Sequence, residues 1–246
     1  MPVRPELLLI HGFVCDSRFW EPQVAALRVA GWQMAVPDLP YHGGRTRSGG
    51  PTRSGGPSQG VAKSLQGLAG WVVRAHLGRP AVLIGHSLGG MVALQIAHDA
   101  PELVAGIALV DAFPDLRLAH AHLPELFVTS PEDEVKRWVT QTRAGILDRL
   151  TQATHDAIWP SVRDFDAVPW LPGICCPVLG IYGGRGRYRA EETDRLRRDL
   201  LLDRLAGPTT VAIVPDAGHF VNLECPETVN EALLGWLAHA FPAGPP

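Results

Sequence analysis

The stretch AVLIGHSLGG at residues 81–90 sets the fold of this chain. It opens on four apolar residues, Ala81 to Ile84, a run suited to a strand buried on both faces. It closes on Gly85-His86-Ser87-Leu88-Gly89, a G-x-S-x-G match, and residues 91–100 then read as a helix. Strand, tight turn and helix form the setting in which this motif lifts a serine hydroxyl above the edge of a sheet. Glycine is needed at 85 and 89 because side chains there would collide with neighbouring backbone. Ser87 is therefore the candidate nucleophile. The plainer reading is an ordinary strand-to-helix turn with a serine near the helix start, and the setting favours the nucleophile over it.

Toward the N-terminus, residues 6–10 (ELLLI) form a second apolar run, as expected of a central parallel strand. It delivers His11-Gly12-Phe13 at its C-terminal end. If Ser87 attacks a carbonyl, the oxyanion needs two N–H donors. Leu88 supplies one as the residue after the nucleophile, and Phe13 supplies the other from this loop. His11 is read as holding the loop through its ring nitrogens rather than as a base. Cys15 has no paired base in view and is read as inert. Residues 20–31 read as a helix ending at Gly31, and residues 33–36 as the next strand. Asp38 then serves loop backbone rather than catalysis.

TRSGGP occurs twice in tandem, at 46–51 and 52–57. Gly, Ser and Pro at this density cannot pack a core, so a solvated and dispensable surface loop is expected. It lacks the pattern of a phosphate-cradling loop. Arg45, Arg47 and Arg53 give it at most a weak attraction for anions. Residues 58–77 follow as a helix, with Val61, Leu65, Leu68 and Val72 on one face.

Toward the C-terminus, the strand at 105–111 (AGIALVD) carries Asp111 to its end, where catalytic groups gather in open α/β sheets. Residues 112–172 break the strand–helix alternation. They read as a helical cap over the site, with a helix across 132–144. Trp138, Trp159 and, beyond the cap, Phe220 are candidates to line a substrate pocket, although Trp in a small helical layer is more often core. Residues 177–182 and 210–214 are the remaining strands, with one Arg-rich amphipathic helix at 191–205 between them. DAGHF at 216–220 places His219 on a loop, the setting for a general base. Residues 226–241 close the chain as a helix, with Pro226 in its first turn.

Composition narrows the partners. The chain has 246 residues, 46% hydrophobic and 19% charged, with a net charge of −3. This is a globular composition with no attraction for nucleic acid or an anionic membrane, so a small-molecule substrate is expected. No apolar run approaches the ~20 residues of a membrane span. The N-terminal apolar run leads straight into the HGF motif and is not a signal peptide, so a cytoplasmic protein is expected. Cys15, Cys175, Cys176 and Cys225 match neither a zinc site nor a disulfide framework, and no metal or cofactor is expected. The sequence carries no signal for oligomeric state.

HGF at 11–13, GHSLGG at 85–90 and DAGHF at 216–220 resemble the α/β-hydrolase superfamily. The resemblance spans nearly the whole chain outside the repeat and the cap. Its motifs are specific to the superfamily but not to a substrate. It implies an α/β fold with a mostly parallel sheet of about six strands, helices on both faces and a small helical cap. Residues 1–111 and 173–246 would form the core, and 112–172 the cap. It also implies a triad in the chain order Ser, acid, His.

One departure bears on the acid. Most single-domain members carry it after the penultimate strand, but here that loop is GGRGRY at 183–188, with no carboxylate before Glu191. Some relatives keep the acid one strand earlier, among them pancreatic-type lipases, zearalenone-type lactone hydrolases and cofactor-independent quinolone dioxygenases. Asp111 is favoured on that ground over Glu191. The expected activity is hydrolysis of a carboxylic ester or lactone of a small, largely apolar substrate through Ser87, His219 and Asp111. Two alternatives stay open. One is a cofactor-free lyase or oxygenase using the His219–Asp111 pair on an aromatic substrate, and the other is a non-catalytic ligand-binding member.

Overall fold

The computed structural model describes residues 4–42, 63–120, 134–147 and 152–242. The TRSGGP repeat with Arg45, Arg47 and Arg53, and Val61 of the expected helix, lie outside these residues. So do residues 121–133 and 148–151 of the expected cap.

Six strands form one sheet: β1 (Glu6–Ile10), β2 (Met34–Ala35), β3 (Ala81–His86), β4 (Val104–Val110), β5 (Val178–Gly183) and β6 (Thr209–Val214). Their order is β2-β1-β3-β4-β5-β6, and every pairing is parallel. The described helices are, in chain order, α1 (Glu21–Val29), α2 (Leu65–His76), α3 (Leu88–Asp99), α4 (Leu116–His120), α5 (Glu134–Leu147), α6 (Gln152–Arg163), α7 (Thr193–Asp199), α8 (Val221–Glu224) and α9 (Pro226–Ala240).

The apolar runs explain the two-sided packing. Side chains alternate across a strand, so a continuous apolar strand feeds two cores. Leu8, Leu83, Ile107 and Leu109 face one core with α2, α3 and α7. Leu7, Leu9, Val82, Ile84, Ala108 and Val110 face the other with α1 and α9. Helix α3 is buried from Leu88 to Ala97, which fixes the segment directly after Ser87. Each large apolar side chain so buried contributes roughly 1.5–3 kcal/mol relative to exposure.

Two helices differ from expectation. Helix α2 begins at Leu65, because the Ser64 hydroxyl caps it by accepting the Gly67 N–H at 3.1 Å. Residues 191–205 are not one helix. Helix α7 stops at Asp199, Leu201 adopts φ 55°, and a 3-10 turn spans Leu202–Arg204. Leu196, Leu200, Leu202 and Leu205 are all buried. On a continuous helix Leu202 and Leu205 would point away from the face holding Leu196 and Leu200. The left-handed residue turns the chain so that all four reach the core.

Candidate active site

The site lies at the carboxyl ends of β1, β3, β4 and β6. Ser87 follows β3 with φ 51° and ψ −118°, a conformation that non-glycine residues rarely adopt. Two glycines make this turn possible. A methyl group on Gly85 would overlap the backbone of Gly89 and Gly90, and one on Gly89 would overlap the Ile10 carbonyl. The Ser87 N–H donates to the Val110 carbonyl at 3.1 Å, tying the turn to the end of β4. Leu88 is the first residue of α3, so its N–H has no partner within the helix.

Ser87 opens into a cavity of about 140 Å³. Phe13 and Leu88 line it, as do His86, His219 and Arg143. The rest of the wall is mostly apolar, with Met91, Phe113, Leu116 and Val162. Trp159 and Phe220 are also on the wall. Trp138 is not among the lining residues and instead packs its ring 5.0 Å from Phe19 in a small cluster with Cys15, Val139 and Phe220. Residues 112–172 contribute α4, α5 and α6 to this side of the sheet, and all three supply lining residues.

Asp111 stands directly after β4 with φ 44°, a left-handed conformation that Asp tolerates better than most residues. Its Oδ2 accepts from His219 Nδ1 at 2.7 Å, and both side chains are buried. Its Oδ1 accepts the Gly183 N–H at 3.0 Å. The end of β5 therefore supplies a donor to Asp111 rather than an acid to His219. Glu191 is exposed on a turn of that same stretch.

Three residues outside the expected set hold the His219 loop. His86 Nε2 is 2.8 Å from the His219 carbonyl and donates to it. Glu224, buried on α8, accepts the Gly218 N–H at 3.0 Å and the Phe220 N–H at 3.1 Å, on either side of His219. Arg185, from the loop after β5, pairs with Glu224 at 2.8 Å. The sequence carries one faint sign of the Glu224 clamp, a carboxylate four residues after Phe220 at a helix start. It carries none for the other two.

Several readings made from sequence concern the supporting loops. His11 Nε2 accepts the Leu39 N–H at 2.9 Å, and Nδ1 donates to the Gly12 carbonyl at 2.8 Å. Asp38 accepts the Ser17 N–H at 2.7 Å. Burial pushes the Cys15 thiol up to about 12, so it stays protonated.

Burial also drives the electrostatics of the imidazoles. Desolvation disfavours the charged form and lowers His11, His42, His86 and His219 below the ordinary histidine value. For His219 the Arg143 charge adds to this and Glu224 opposes it. The Asp111 carboxylate at 2.7 Å also favours the imidazolium, so the pair holds a neutral base that gains stabilisation once it takes a proton.

The alpha/beta hydrolase family model matches residues 7–232, and the chain belongs to that family. It is 26% identical to the 2-(acetamidomethylene)succinate hydrolase of Mesorhizobium japonicum, over 95% of this chain and 88% of that one. It is also 26% identical to the dihydrolipoyllysine-residue acetyltransferase component of the acetoin cleaving system of Pseudomonas putida. That match covers 94% of this chain but only 63% of the longer relative. The enol-lactonase of Burkholderia xenovorans has the same fold, with a TM-score of 0.70 at 19% identity over 96% of this chain and 92% of that one. The protein is thus an enzyme of the α/β-hydrolase class. Among the described residues no helix is long and apolar enough to cross a membrane.

Proposed function

We propose that the protein cleaves a carboxylic ester or lactone of a small, largely apolar substrate through an acyl-enzyme on Ser87. The observation that carries this reading is the 2.7 Å contact between His219 Nδ1 and Asp111 Oδ2 at the wall of the cavity into which Ser87 opens. Because Asp111 only accepts, it holds the proton on Nδ1 and leaves Nε2 as the base. Ser87 Oγ attacks the substrate carbonyl carbon while Nε2 takes the hydroxyl proton. The Phe13 and Leu88 N–H groups hold the oxyanion, worth about 3–4 kcal/mol per donor in a well-studied case. His219 returns the proton to the leaving alkoxide. Water, deprotonated by the same nitrogen, then releases the carboxylate and restores Ser87. Residues 112–172 act as the cap that keeps this cavity apolar.

A relative named as a hydrolase supports hydrolysis over oxygen chemistry. The test is labelling with a fluorophosphonate, followed by peptide mass spectrometry. An adduct on Ser87 that is lost in Ser87→Ala is expected. Folded protein with no adduct would sink the acyl-enzyme mechanism.

A further inference from the structure

Among the described residues, Arg143 is the one Lys, Arg, Asp or Glu side chain on the wall of the Ser87 cavity. It projects from α5, and its Nε is buried with no hydrogen-bond partner among the described residues. Its recorded neighbour is the Phe220 ring, 5.7 Å from the guanidinium carbon. An arginine presents five donors and does not give up its proton. Burying part of such a cation beside an apolar wall is costly unless an anion meets it. The position is also unfavourable for His219, whose imidazolium it opposes. A negative charge entering the cavity would offset both.

We propose that Arg143 binds a carboxylate on the substrate, so that the enzyme acts on esters or lactones that carry an acid group away from the bond cleaved. This rests on the reading of the cavity as the substrate site. A guanidinium matches a carboxylate in a two-point fork, which an ammonium does not. The cavity of about 140 Å³ sets the size. A void of roughly 150 Å³ accepts a benzene ring, so a short chain between the acyl carbon and the acid fills it.

Two measurements test this. The first compares mono-4-nitrophenyl glutarate with the neutral ester of the same shape, 4-nitrophenyl 5-methylhexanoate. The wild type is expected to favour the anionic ester at least tenfold in kcat/KM. Arg143→Met should reduce that ratio at least tenfold, chiefly through KM, while Arg143→Lys keeps part of it. The second is calorimetric titration of succinate, glutarate and adipate into Ser87→Ala, where binding should be lost on adding Arg143→Met. Equal turnover of both esters by wild type and Arg143→Met, or no diacid binding at all, overturns the proposal and leaves the serine mechanism standing. Arg143-dependent diacid binding with neither ester cleaved keeps the carboxylate site at Arg143 and removes the ester reading instead. Circular dichroism of each variant separates these results from misfolding.

Discussion

Asp111 and His219, 108 residues apart in the chain, meet at 2.7 Å between Oδ2 and Nδ1. Glu191, the alternative acid, lies exposed on a turn. Replacing Asp111 with Asn keeps the shape but puts a donor where the ring needs an acceptor. In a serine protease the same change lowers turnover about 10⁴-fold. A comparable loss is expected for Asp111→Asn and little change for Glu191→Gln. Turnover numbers for the two variants decide it, and the assignment fails if the losses are reversed.

Glu224 should act on rate without touching substrate. It holds two backbone N–H groups that flank His219, and Arg185. Glu224→Ala leaves both backbone N–H groups without this acceptor, while Arg185 keeps its bond to the Asp216 carbonyl. Stability is expected to fall by about 1–3 kcal/mol, the usual cost of a buried group left unsatisfied. Turnover should fall at least tenfold with KM little changed, and Glu224→Gln should recover part of it. Urea unfolding and steady-state kinetics measure both. Wild-type turnover in Glu224→Ala would mean that the loop holds His219 without the clamp.

Ser87 pays for its position in backbone strain. A residue held in so sparsely populated a region costs on the order of 1–3 kcal/mol. Ser87→Gly removes that cost, so its melting temperature should rise while activity disappears. Ser87→Ala should lose activity without the same gain, because alanine has the same backbone limits. Equal melting temperatures for the two variants would show the turn to be unstrained.

The buried imidazoles give a direction for pH. His11, His42, His86 and His219 are lowered in the folded state. Below the unfolded value of about 6.5 the unfolded chain takes protons that the folded one refuses. Their stabilising contribution is therefore complete above pH ~6.5 and is lost as pH falls toward the folded values, at up to about 1.4 kcal/mol per pH unit for each group. The melting temperature should drop between pH 7 and pH 5. The acid limb of kcat/KM should have its midpoint below 6.5, since free His219 stays neutral there. A midpoint above 6.5 would contradict the burial argument.

Sheet and turn were legible because they rest on local rules. Residues 7–10 and 81–84 are apolar at every position, and such strands have few alternatives. The glycines at 85 and 89 announce a close backbone approach that the structure contains. Arg143 was not legible. On an amphipathic helix a polar residue ordinarily faces water, and only the approach of α5 to the sheet edge turns this one inward. Leu201 was missed for a related reason. Nothing local marks a leucine for a left-handed turn, and burial of its neighbours imposes it. Glu224 and Arg185 meet across 39 residues, a distance that pattern reading does not span.

Asp111 sits at the point where the chain leaves the sheet for residues 112–172, and three bonds pin it and Ala112 there. The Asp111 N–H donates to the Ile181 carbonyl at 2.7 Å, Gly183 donates to its Oδ1 at 3.0 Å, and the Tyr182 hydroxyl holds the Ala112 carbonyl at 2.9 Å. All three anchors come from β5, not from the helices beyond. The departure point is thereby mechanically insulated. A shift of α4 to α6 would therefore not by itself drag the Asp111 carboxylate off His219. The engineering consequence is that residues 116–163 are the part of this enzyme to exchange when its specificity is to be changed, and the anchor at 181–183 is the part to leave alone.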